Sequence, residues 1–465
     1  MNNKDIIVTK SGNKYIYSPF LKTLSCLFPD KDCEYAKQKI EYLEKHLFFK
    51  EEEVNFKTKL DKSFLENSLE NLSNLLLEVT DGCNLACKYC GYGELYGNYD
   101  KRFNKMASFE NIKALIDYLT NFWKKKNTNL FTVTIGFYGG EPLLNFELIK
   151  SCVKYLEDIT LTTGIRFRYN MTTNSMLLNR YMDFLCEHSF NLLLSLDGNQ
   201  FNDSYRLLKS GKESFSSVYS NIKEFQKKYP SYFEENVNFN AVLHNRNSIQ
   251  EITTFIYKEF GKKPLISELS TIGIRPDKID EFRRMFNSKL DERNTCDEVL
   301  QDFDMDPYKN ILNAFMTGFL DINYNMLYEF FLDKEKCIFL PTGTCRPLER
   351  KLFLTVNGKL LNCERVGQDY VLGSVSGGKV SINLENIANI YTRLYESVVK
   401  LCNQCTNKLN CGQCLFRMSL NKQGNVSCGS FLSVQARQGY LTQNIELLEQ
   451  YPEKYKQIIK EMVVV

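Results

Sequence analysis

Six short apolar runs alternate with helix-like segments between residues 73 and 275, and this alternation constrains the fold more than any other feature of the chain. The runs lie at 75–79, 131–137, 165–171, 191–196, 237–243 and 264–269. The segments between them repeat apolar residues at helical spacing, as in FENIKALIDYLTNFWKK, for which Ser108 is the expected N-cap. Strands that alternate with helices predict parallel strands and right-handed crossovers, in either a barrel-like or an open doubly wound sheet.

Four polar motifs follow directly from, or close, one of these predicted strands. They are CNLACKYC at 83–90, GGEP at 139–142, TTN at 172–174 and SLDG at 195–198. In both kinds of parallel sheet, chemistry collects at the carboxyl ends of the strands. We therefore expect the four motifs to form one site.

The length of 465 residues predicts two or three domains. Apolar residues make up 43% of the chain and charged residues 25%, which is typical of a soluble globular protein. The sequence contains no apolar run long enough to span a membrane and no visible signal peptide, so we expect a cytoplasmic protein without a membrane partner. A net charge of +3 gives no general reason to expect nucleic acid binding.

The domain organisation follows from shifts in pattern along the chain. Residues 1–72 contain a hairpin signal in DIIVTKSGNKYIYSPF and a helical pattern in CEYAKQKIEYLEKHLFF, which fit a winged-helix-like α+β module, although many other small folds would also fit. We predict the parallel α/β domain at 73–275, a helical bridge at 276–336, a cysteine-rich domain with short strands at 337–430 and a terminal helix at 431–465.

Sixteen cysteines are unusual for a chain in a reducing compartment, where disulfides are rare, so metal ligation is the better interpretation. Three lie in CNLACKYC and eight lie between Cys337 and Cys428. The five scattered cysteines are expected to be small buried residues or bystanders: Cys26, Cys33, Cys152, Cys186 and Cys296.

Three clustered cysteines fit neither a zinc site nor a simple redox pair. A zinc site would need a fourth ligand, and none of the three histidines lies near in the sequence. A 4Fe-4S cluster held by three thiolates accounts for the three cysteines, because it leaves one iron free to bind another molecule.

The spacing C-x-x-x-C-x-aromatic-C, here with Tyr89, closely resembles that of the radical S-adenosylmethionine (SAM) superfamily. The resemblance implies a partial (β/α)6 barrel in which Cys83, Cys87 and Cys90 hold a 4Fe-4S cluster and SAM binds its open iron. It also implies SAM contacts from the residues of GGEP and from the polar strand ends: Gly139, Gly140, Glu141, Pro142, Thr173, Asn174, Ser195, Asp197 and Arg206. Asn and Asp-Gly also end many strands for turn reasons alone, and a surface arginine is the alternative for Arg206.

The later cysteines resemble the SPASM domain, which carries auxiliary clusters in radical SAM enzymes that modify peptides and proteins. The pattern is Cys345, twelve residues, Gly358, four residues, Cys363, then Cys402-x-x-Cys405, five residues, Cys411-x-x-Cys414, and Cys428. Relatives often have three residues, not two, before the cysteine that matches Cys414. With Cys337 added, the resemblance implies two more 4Fe-4S clusters, one on Cys337, Cys345, Cys363 and Cys414 and one on Cys402, Cys405, Cys411 and Cys428. Two zinc sites are the alternative.

The chemistry that the resemblance implies begins with an electron from a donor such as flavodoxin or ferredoxin, which cleaves SAM to a 5'-deoxyadenosyl radical. That radical removes hydrogen from an unactivated carbon of the substrate. The auxiliary clusters then accept the substrate's electron or mainly shape the channel. Glu364, directly after Cys363, occupies the position of a carboxylate base in sulfatase-maturating relatives, and an exposed structural glutamate is the alternative.

The function that follows is a peptide maturase that installs a thioether or carbon-carbon cross-link in a ribosomally synthesised precursor peptide. The N-terminal module would bind the leader of the precursor as an added strand along residues 5–20, unless it is only a packing extension. The runner-up is an anaerobic sulfatase-maturating enzyme that makes formylglycine. A zinc-stapled binding scaffold is the alternative outside the enzyme class.

Overall fold

The structure is a computed structural model that describes residues 6–18, 23–27, 33–45, 54–126, 132–289, 311–313, 315–316, 339–342, 346–408, 411–420 and 426–461. The chain divides into two compact units. The central unit comprises Leu60–Cys296 and Cys345–Tyr391, and the terminal unit comprises Met1–Lys59, Asp297–Thr344 and Thr392–Val465.

Fifteen strands lie in the described residues. They are β1 Ile6–Val8, β2 Lys14–Ser18, β3 Thr23–Leu27, β4 Asn74–Thr80, β5 Thr132–Gly139, β6 Arg166–Thr173, β7 Asn191–Ser195, β8 Val237–Leu243, β9 Leu265–Glu268, β10 Leu352–Leu354, β11 Lys359–Leu361, β12 Gly373–Ser376, β13 Lys379–Ile382, β14 Ser419–Leu420 and β15 Val426–Ser427.

The α-helices of the described residues are α1 Cys33–Lys45, α2 Lys62–Glu70, α3 Phe109–Trp123, α4 Phe146–Thr163, α5 Leu178–Glu187, α6 Phe215–Lys228, α7 Pro230–Asn236, α8 Ile249–Phe260, α9 Ile279–Met285, α10 Leu384–Gln404, α11 Val434–Gln450 and α12 Pro452–Glu461. Of the predicted bridge at 276–336, α9 is described, and most of the remaining residues lie outside the described ranges.

Strands β4 to β9 lie side by side in chain order and run parallel, with helices in the crossovers, which confirms the predicted alternation. The strands form because they bury apolar residues: Leu75, Leu77 and Val79 of β4 are fully buried, and in β8 the buried residues alternate. Helix α3 buries one face, and the side chain of Ser108 caps it by accepting a hydrogen bond from the backbone N of Asn111 at 3.4 Å, as predicted. The central unit is therefore an α/β fold with a mostly parallel sheet.

Strands β10 to β13 extend this sheet at the edge of β4. The sequence assigned them to a separate cysteine-rich domain at 337–430, whereas β10 pairs parallel with β4 and the strands belong to the central unit. The reason is hydrophobic: all three residues of β10 are buried, and Phe353 packs against Leu76, Leu361 and Tyr138. β10 thereby covers an edge that would otherwise expose unpaired backbone groups.

In the terminal unit, β1 and β2 form the hairpin that the sequence predicts at 6–18, and β3 pairs with the other side of β2. A small core forms where Ile7 packs with Phe315, Leu441 and Ile445. The winged-helix-like identity of the predicted module at 1–72 stays a prediction, because parts of it lie outside the described residues.

The predicted terminal helix at 431–465 is two helices, α11 and α12. Pro452 begins α12, and the preceding Tyr451 has φ −128° and ψ 63°, outside the helical region. Proline disfavours the helical conformation of the residue before it and lacks an N–H, so it interrupts the helical pattern here. None of the helices in the described ranges is long and apolar enough to cross a membrane.

The carboxylate of Glu449 on α11 joins this helix to the β1–β2 hairpin. It accepts hydrogen bonds from Thr9 Oγ1 at 3.1 Å, Asn13 Nδ2 at 2.8 Å and Tyr15 Oη at 2.6 Å, and another from the hydroxyl of Ser11. Burial acts to raise the pKa of Glu449, but these hydrogen bonds outweigh it and hold the pKa below its usual value.

We expect Glu449→Ala to lower the free energy of unfolding by about 1–2 kcal/mol, because several hydrogen bonds to one charged group are lost at a partly exposed position. Since the pKa of Glu449 is lower in the folded state, the stabilisation is present above the unfolded pKa of about 4.3 and is lost as the pH falls through the folded value. Chemical denaturation at neutral and acidic pH measures both effects.

Glu446→Ala is the matched control on the same helix, since Glu446 pairs with the exposed side chain of Lys10 at 3.3 Å. We expect this variant to lose less than about 1 kcal/mol. Equal losses in the two variants, or a loss at Glu449 that persists at acidic pH, would contradict the role of the Glu449 carboxylate.

Candidate active site

The loop that follows β4 carries Cys83, Cys87 and Cys90 at the carboxyl end of the strand. The pKa of Cys87 is raised to about 12, chiefly by burial; Arg206 acts to lower it, and Cys90 and Cys83 contribute to the rise, so the three sulfurs lie within electrostatic reach of one another. Metal ligation requires thiolates, so binding iron here releases protons.

The donor set fits a cluster better than a single ion. Thiolates around one zinc ion lie within about 4 Å of one another. No group of three or more His, Cys, Asp or Glu side chains in the described parts of the chain forms a single-ion site. Three thiols without a fourth side-chain ligand match an iron–sulfur cluster that keeps one iron open.

The glycines of GGEP let the end of β5 lie directly against the start of this loop. The backbone N of Gly140 donates to Thr80 O at 3.0 Å, and the N of Glu141 donates to Gly82 O at 2.9 Å. A Cβ atom on Gly139 would lie 2.2 Å from Thr80 O, and one on Gly140 would lie 2.1 Å from Gly82 O. Larger residues would therefore push the cluster loop away from β5.

Glu141 is fully buried and connects β5 to the end of β6. Its Oε1 accepts hydrogen bonds from Thr173 Oγ1 at 2.8 Å and from the N of Leu143 at 3.1 Å, and its Oε2 accepts one from the N of Asn174 at 2.8 Å. Burial raises the pKa of Glu141, and the same hydrogen bonds oppose this rise. Pro142 starts the short 3-10 turn Pro142–Asn145, for which Glu141 is the N-cap.

Asn174 is also placed beside the cluster loop. Its Nδ2 donates to Asn84 Oδ1 at 2.7 Å and to Cys83 Sγ at 3.6 Å, and its Oδ1 accepts from the N of Met176 at 3.0 Å. TTN is therefore joined to both GGEP and CNLACKYC, as expected for one site.

Tyr89, Asp197 and Arg206 form a buried group behind the cysteines. The hydroxyl of Tyr89 donates to Asp197 Oδ2, and Arg206 Nη1 donates to the hydroxyl of Tyr89 at 2.9 Å. Arg206 is only 7% exposed, so the alternative of a surface arginine is wrong. Its burial acts to lower its pKa, but Tyr89, Cys87 and Asp197 outweigh this and raise the pKa, so the guanidinium stays charged.

Sequence reasoning missed two members of this buried group. His244 is fully buried, its ring stacks on Tyr89 with centroids 5.7 Å apart, and its Nε2 lies 3.8 Å from Asp197 Oδ2. Asp203 Oδ1 accepts from the N of Asp197 at 3.0 Å and lies 3.7 Å from Arg206 Nε. The signal for His244 was its position directly after the β8 run, at the same sheet edge as the other motifs.

Arg102 fixes the loop beyond Cys90. Its guanidinium lies 3.5 Å from the ring centre of Tyr92, and its Nη2 lies 2.6 Å from Glu78 Oε1. Glu78 Oε2 accepts a hydrogen bond from the N of Val356 at 2.9 Å, which joins β4 to the turn after β10. Burial raises the pKa of Glu78, and Arg102 opposes this rise.

Several buried polar atoms near the carboxyl ends of the strands make no hydrogen bond in the described residues. Ser175 Oγ, Asp203 Oδ2 and Arg206 Nε are buried and lack hydrogen-bond partners among the described residues. Within the same ranges, the hydroxyl of Ser195 makes no hydrogen bond although the residue is only 8% exposed. Buried polar groups without a hydrogen bond are uncommon, so these atoms could bind a polar ligand.

Four of the later cysteines come together in the terminal unit. Cys402, Cys405, Cys411 and Cys428 line one pocket, which apolar side chains including Phe56, Met418 and Phe431 also line. Burial raises the pKa of Cys402 to about 12, and the other three thiolates add to the rise. The structure therefore brings together the set that the sequence grouped as one auxiliary site.

The other predicted set is not tested. Cys337 and Cys345 lie outside the described residues, Cys363 belongs to the central unit and Cys414 to the terminal unit. Cys363 Sγ accepts a hydrogen bond from the N of Arg365 at 3.4 Å. Among the scattered cysteines, Cys152 is buried and Cys26 and Cys186 are half-buried, whereas the side chain of Cys33 and all of Cys296 lie outside the description.

Glu364 is held by an ion pair in the central unit. Its carboxylate lies 3.0 Å from Lys351 Nζ, and its side chain is 14% exposed. Glu364 is therefore largely buried, whereas the structural alternative expected an exposed side chain. Its role as a base stays a prediction.

The chain is similar to a known protein family and to several of its members. The family model described as the radical SAM superfamily matches residues 77–257. An uncharacterised protein of Methanocaldococcus jannaschii is 30% identical over 228 residues, which cover 47% of this chain and 72% of that protein.

Two relatives have named activities. A cysteine-type anaerobic sulfatase-maturating enzyme of Clostridium novyi is 27% identical over 198 residues, which cover 42% of this chain and 49% of that enzyme. The radical SAM cyclopropyl synthase TigE of Paramaledivibacter caminithermalis is 24% identical over 352 residues, which cover 74% of this chain and 67% of that protein.

A solved structure of native anSMEcpe with bound AdoMet and the Cp18Cys peptide shares the fold. It is 19% identical, with a TM-score of 0.50 over 84% of this chain and 99% of that chain. At this identity the likeness supports the fold alone.

We expect Gly140→Ala to displace the cluster loop, because its Cβ would overlap Gly82 O, and to cost about 1–3 kcal/mol of stability. Iron content after anaerobic reconstitution and thermal unfolding measure the effect. Gly91→Ala is the matched control in the same loop, since a Cβ there meets no atom within 4 Å. Full iron binding by Gly140→Ala would show that the close approach is not required.

Proposed function

Because this chain belongs to the radical SAM superfamily, we propose that it is a peptide maturase that installs a thioether or carbon-carbon cross-link in a ribosomally synthesised precursor peptide. The observation that carries the proposal is the second group of cysteines, in which Cys402, Cys405, Cys411 and Cys428 line one pocket. Together with the cluster loop, this group resembles the auxiliary-cluster extension of enzymes that modify peptides and proteins.

The binding roles follow from the side chains and backbone at the strand ends. Cys83, Cys87 and Cys90 would hold the first 4Fe-4S cluster, and Gly139 and Gly140 let the GGEP backbone lie close to the loop that carries it. When bound, the cluster supplies one-electron cleavage of SAM to a radical that removes a hydrogen atom from an unactivated carbon. The hydroxyl of Ser195 and the Nε of Arg206, which makes no hydrogen bond but lies 3.7 Å from Asp203 Oδ1, are the groups that would orient the ribose and carboxylate of SAM.

The auxiliary sites would complete the oxidation. The four thiols of the pocket would hold a fully ligated cluster, and Cys337, Cys345, Cys363 and Cys414 would hold a third. Glu364, which lies beside Lys351 and is largely shielded from water, would accept the proton that leaves the substrate. A flavodoxin or ferredoxin would supply the first electron.

In this proposal, the N-terminal sheet binds the leader of the precursor peptide. Of the range 5–20 that the sequence suggests, β2 is paired on both sides, by β1 and by β3, and cannot accept another strand. β1 and β3 each have one side that pairs with no strand in the described residues, and β3 is the longer with five residues, although Lys39 Nζ donates to its Cys26 O at 2.7 Å. We therefore place the added leader strand on β3.

The second candidate is a sulfatase-maturating enzyme, which the Clostridium novyi relative and the shielded carboxylate of Glu364 favour. The alignment with the cyclopropyl synthase covers 74% of this chain against 42% for that relative, which favours a radical SAM reaction other than sulfatase maturation. A zinc-stapled scaffold receives no support from the described residues, which form no single-ion site.

We expect combined replacement of Cys83, Cys87 and Cys90 by alanine to abolish formation of 5'-deoxyadenosine from SAM, because the iron that binds SAM is lost. Liquid chromatography of the anaerobic reaction measures the product, and iron analysis should show retention of the auxiliary clusters. Cys186→Ala is the control, since this half-buried cysteine on α5 belongs to neither group. Continued 5'-deoxyadenosine formation by the triple variant would refute the cluster assignment.

We also expect that co-expression with a precursor peptide encoded beside this gene yields a product lighter by two hydrogen atoms for each cross-link. Mass spectrometry with fragmentation locates the bond. A synthetic leader segment without the modified region should inhibit the reaction by competing for β3. A sulfatase-derived peptide converted to formylglycine, with precursors left unmodified, would favour the second candidate instead.

A further inference from the structure

Asn174 stands out among the residues that the family resemblance assigns to SAM, because both N–H donors of its side-chain amide are already used. Its amide has two N–H groups, which point to Asn84 Oδ1 at 2.7 Å and Cys83 Sγ at 3.6 Å. Its Oδ1 accepts from the N of Met176 at 3.0 Å, and the residue is 6% exposed. An asparagine amide has no further donor to offer a ligand.

The backbone around Asn174 is fixed from both sides. Its N donates to Glu141 Oε2 at 2.8 Å, and Ser175 follows in the left-handed region with φ 64°. Asn221 Nδ2 donates to Ser175 O at 2.9 Å and to Met176 O at 3.1 Å. These bonds hold the turn after β6, so the amide keeps its orientation towards the sulfur of Cys83.

The three cluster thiols differ in their surroundings. Cys83 Sγ accepts hydrogen bonds from the N of Leu85 at 3.4 Å and from Asn174. In the ranges that the structure describes, no hydrogen bond reaches the sulfur of Cys87 or Cys90. Asn174 is therefore the side chain that distinguishes the environment of one cluster ligand from the other two.

We infer that Asn174 is a positioning residue that donates a hydrogen bond to the Cys83 thiolate and raises the reduction potential of the cluster bound there, instead of contacting SAM. The inference rests on the proposed cluster at Cys83, Cys87 and Cys90. A donor N–H stabilises the thiolate more strongly when the cluster gains an electron, so the bond favours the reduced state. Its effect is to make the first electron transfer easier.

The test compares the reduction potential of the cluster with the affinity for SAM in the full-length, reconstituted protein. Asn174→Leu removes the donor without adding charge, and Asn174→Asp replaces the donor by a negative group of the same shape. Asn170→Leu is the matched control, since Asn170 lies in β6 four positions before Asn174 and no hydrogen bond joins it to Cys83 in the described residues. Potentiometric titration followed by electron paramagnetic resonance gives the potential, and equilibrium dialysis gives the Kd of SAM.

We expect a lower potential for Asn174→Leu, a still lower one for Asn174→Asp and no change for Asn170→Leu, with the Kd of SAM within about twofold of wild type throughout. A Kd raised about tenfold, as for the loss of one hydrogen bond to a ligand, with an unchanged potential would overturn the inference and restore a SAM contact.

Two further outcomes separate this inference from the function it rests on. If Asn174→Leu does not assemble a cluster, Asn174→Asp decides, and a wild-type potential in that variant overturns the inference. If the wild-type protein forms no cluster at the three cysteines, the proposed function itself fails, which iron analysis of the wild type reveals before any variant is made.

Discussion

The close approach of the Gly139–Gly140 backbone to Thr80 and Gly82 is the constraint on which the candidate site depends. It brings the end of one strand against the loop that carries the first thiol. Glu141 then ties that strand to the next one, whose terminal asparagine reaches back to Cys83. The cluster loop, the end of β5 and the turn after β6 thus contact one another in a closed ring. A shift in one of them is transmitted to the other two.

Much of the fold and of the candidate site could be predicted from local sequence patterns. The six parallel strands and the Ser108 cap follow from spacing within short segments, and the grouping of Cys402, Cys405, Cys411 and Cys428 is what the resemblance to the SPASM domain implies. The pairing of β10 with β4 joins residues more than 270 positions apart, and no local pattern encodes which edge a short apolar strand will cover. Likewise, the sequence suggested Arg206 but could not distinguish its buried position from an exposed one, because burial depends on the whole fold.

Charge explains why the polar centre tolerates burial. Arg206 stands among Asp197, Asp203 and the hydroxyl of Tyr89, so positive and negative groups compensate each other away from water. Cysteine thiols in the same region are costly to ionise until a metal takes the charge. Binding of iron would therefore release the thiol protons. Without a metal, the thiols would stay protonated, which is their less reactive form.

The bonds between Glu449 and the first hairpin also have a consequence for biosynthesis. More than 430 residues separate the two partners, so during translation the hairpin leaves the ribosome long before the helix that secures it. Long-range contacts of this kind form late, after their loop-closure cost has been met. The contacts that secure the hairpin would therefore be among the last to form, and a stalled or shortened product would lack them.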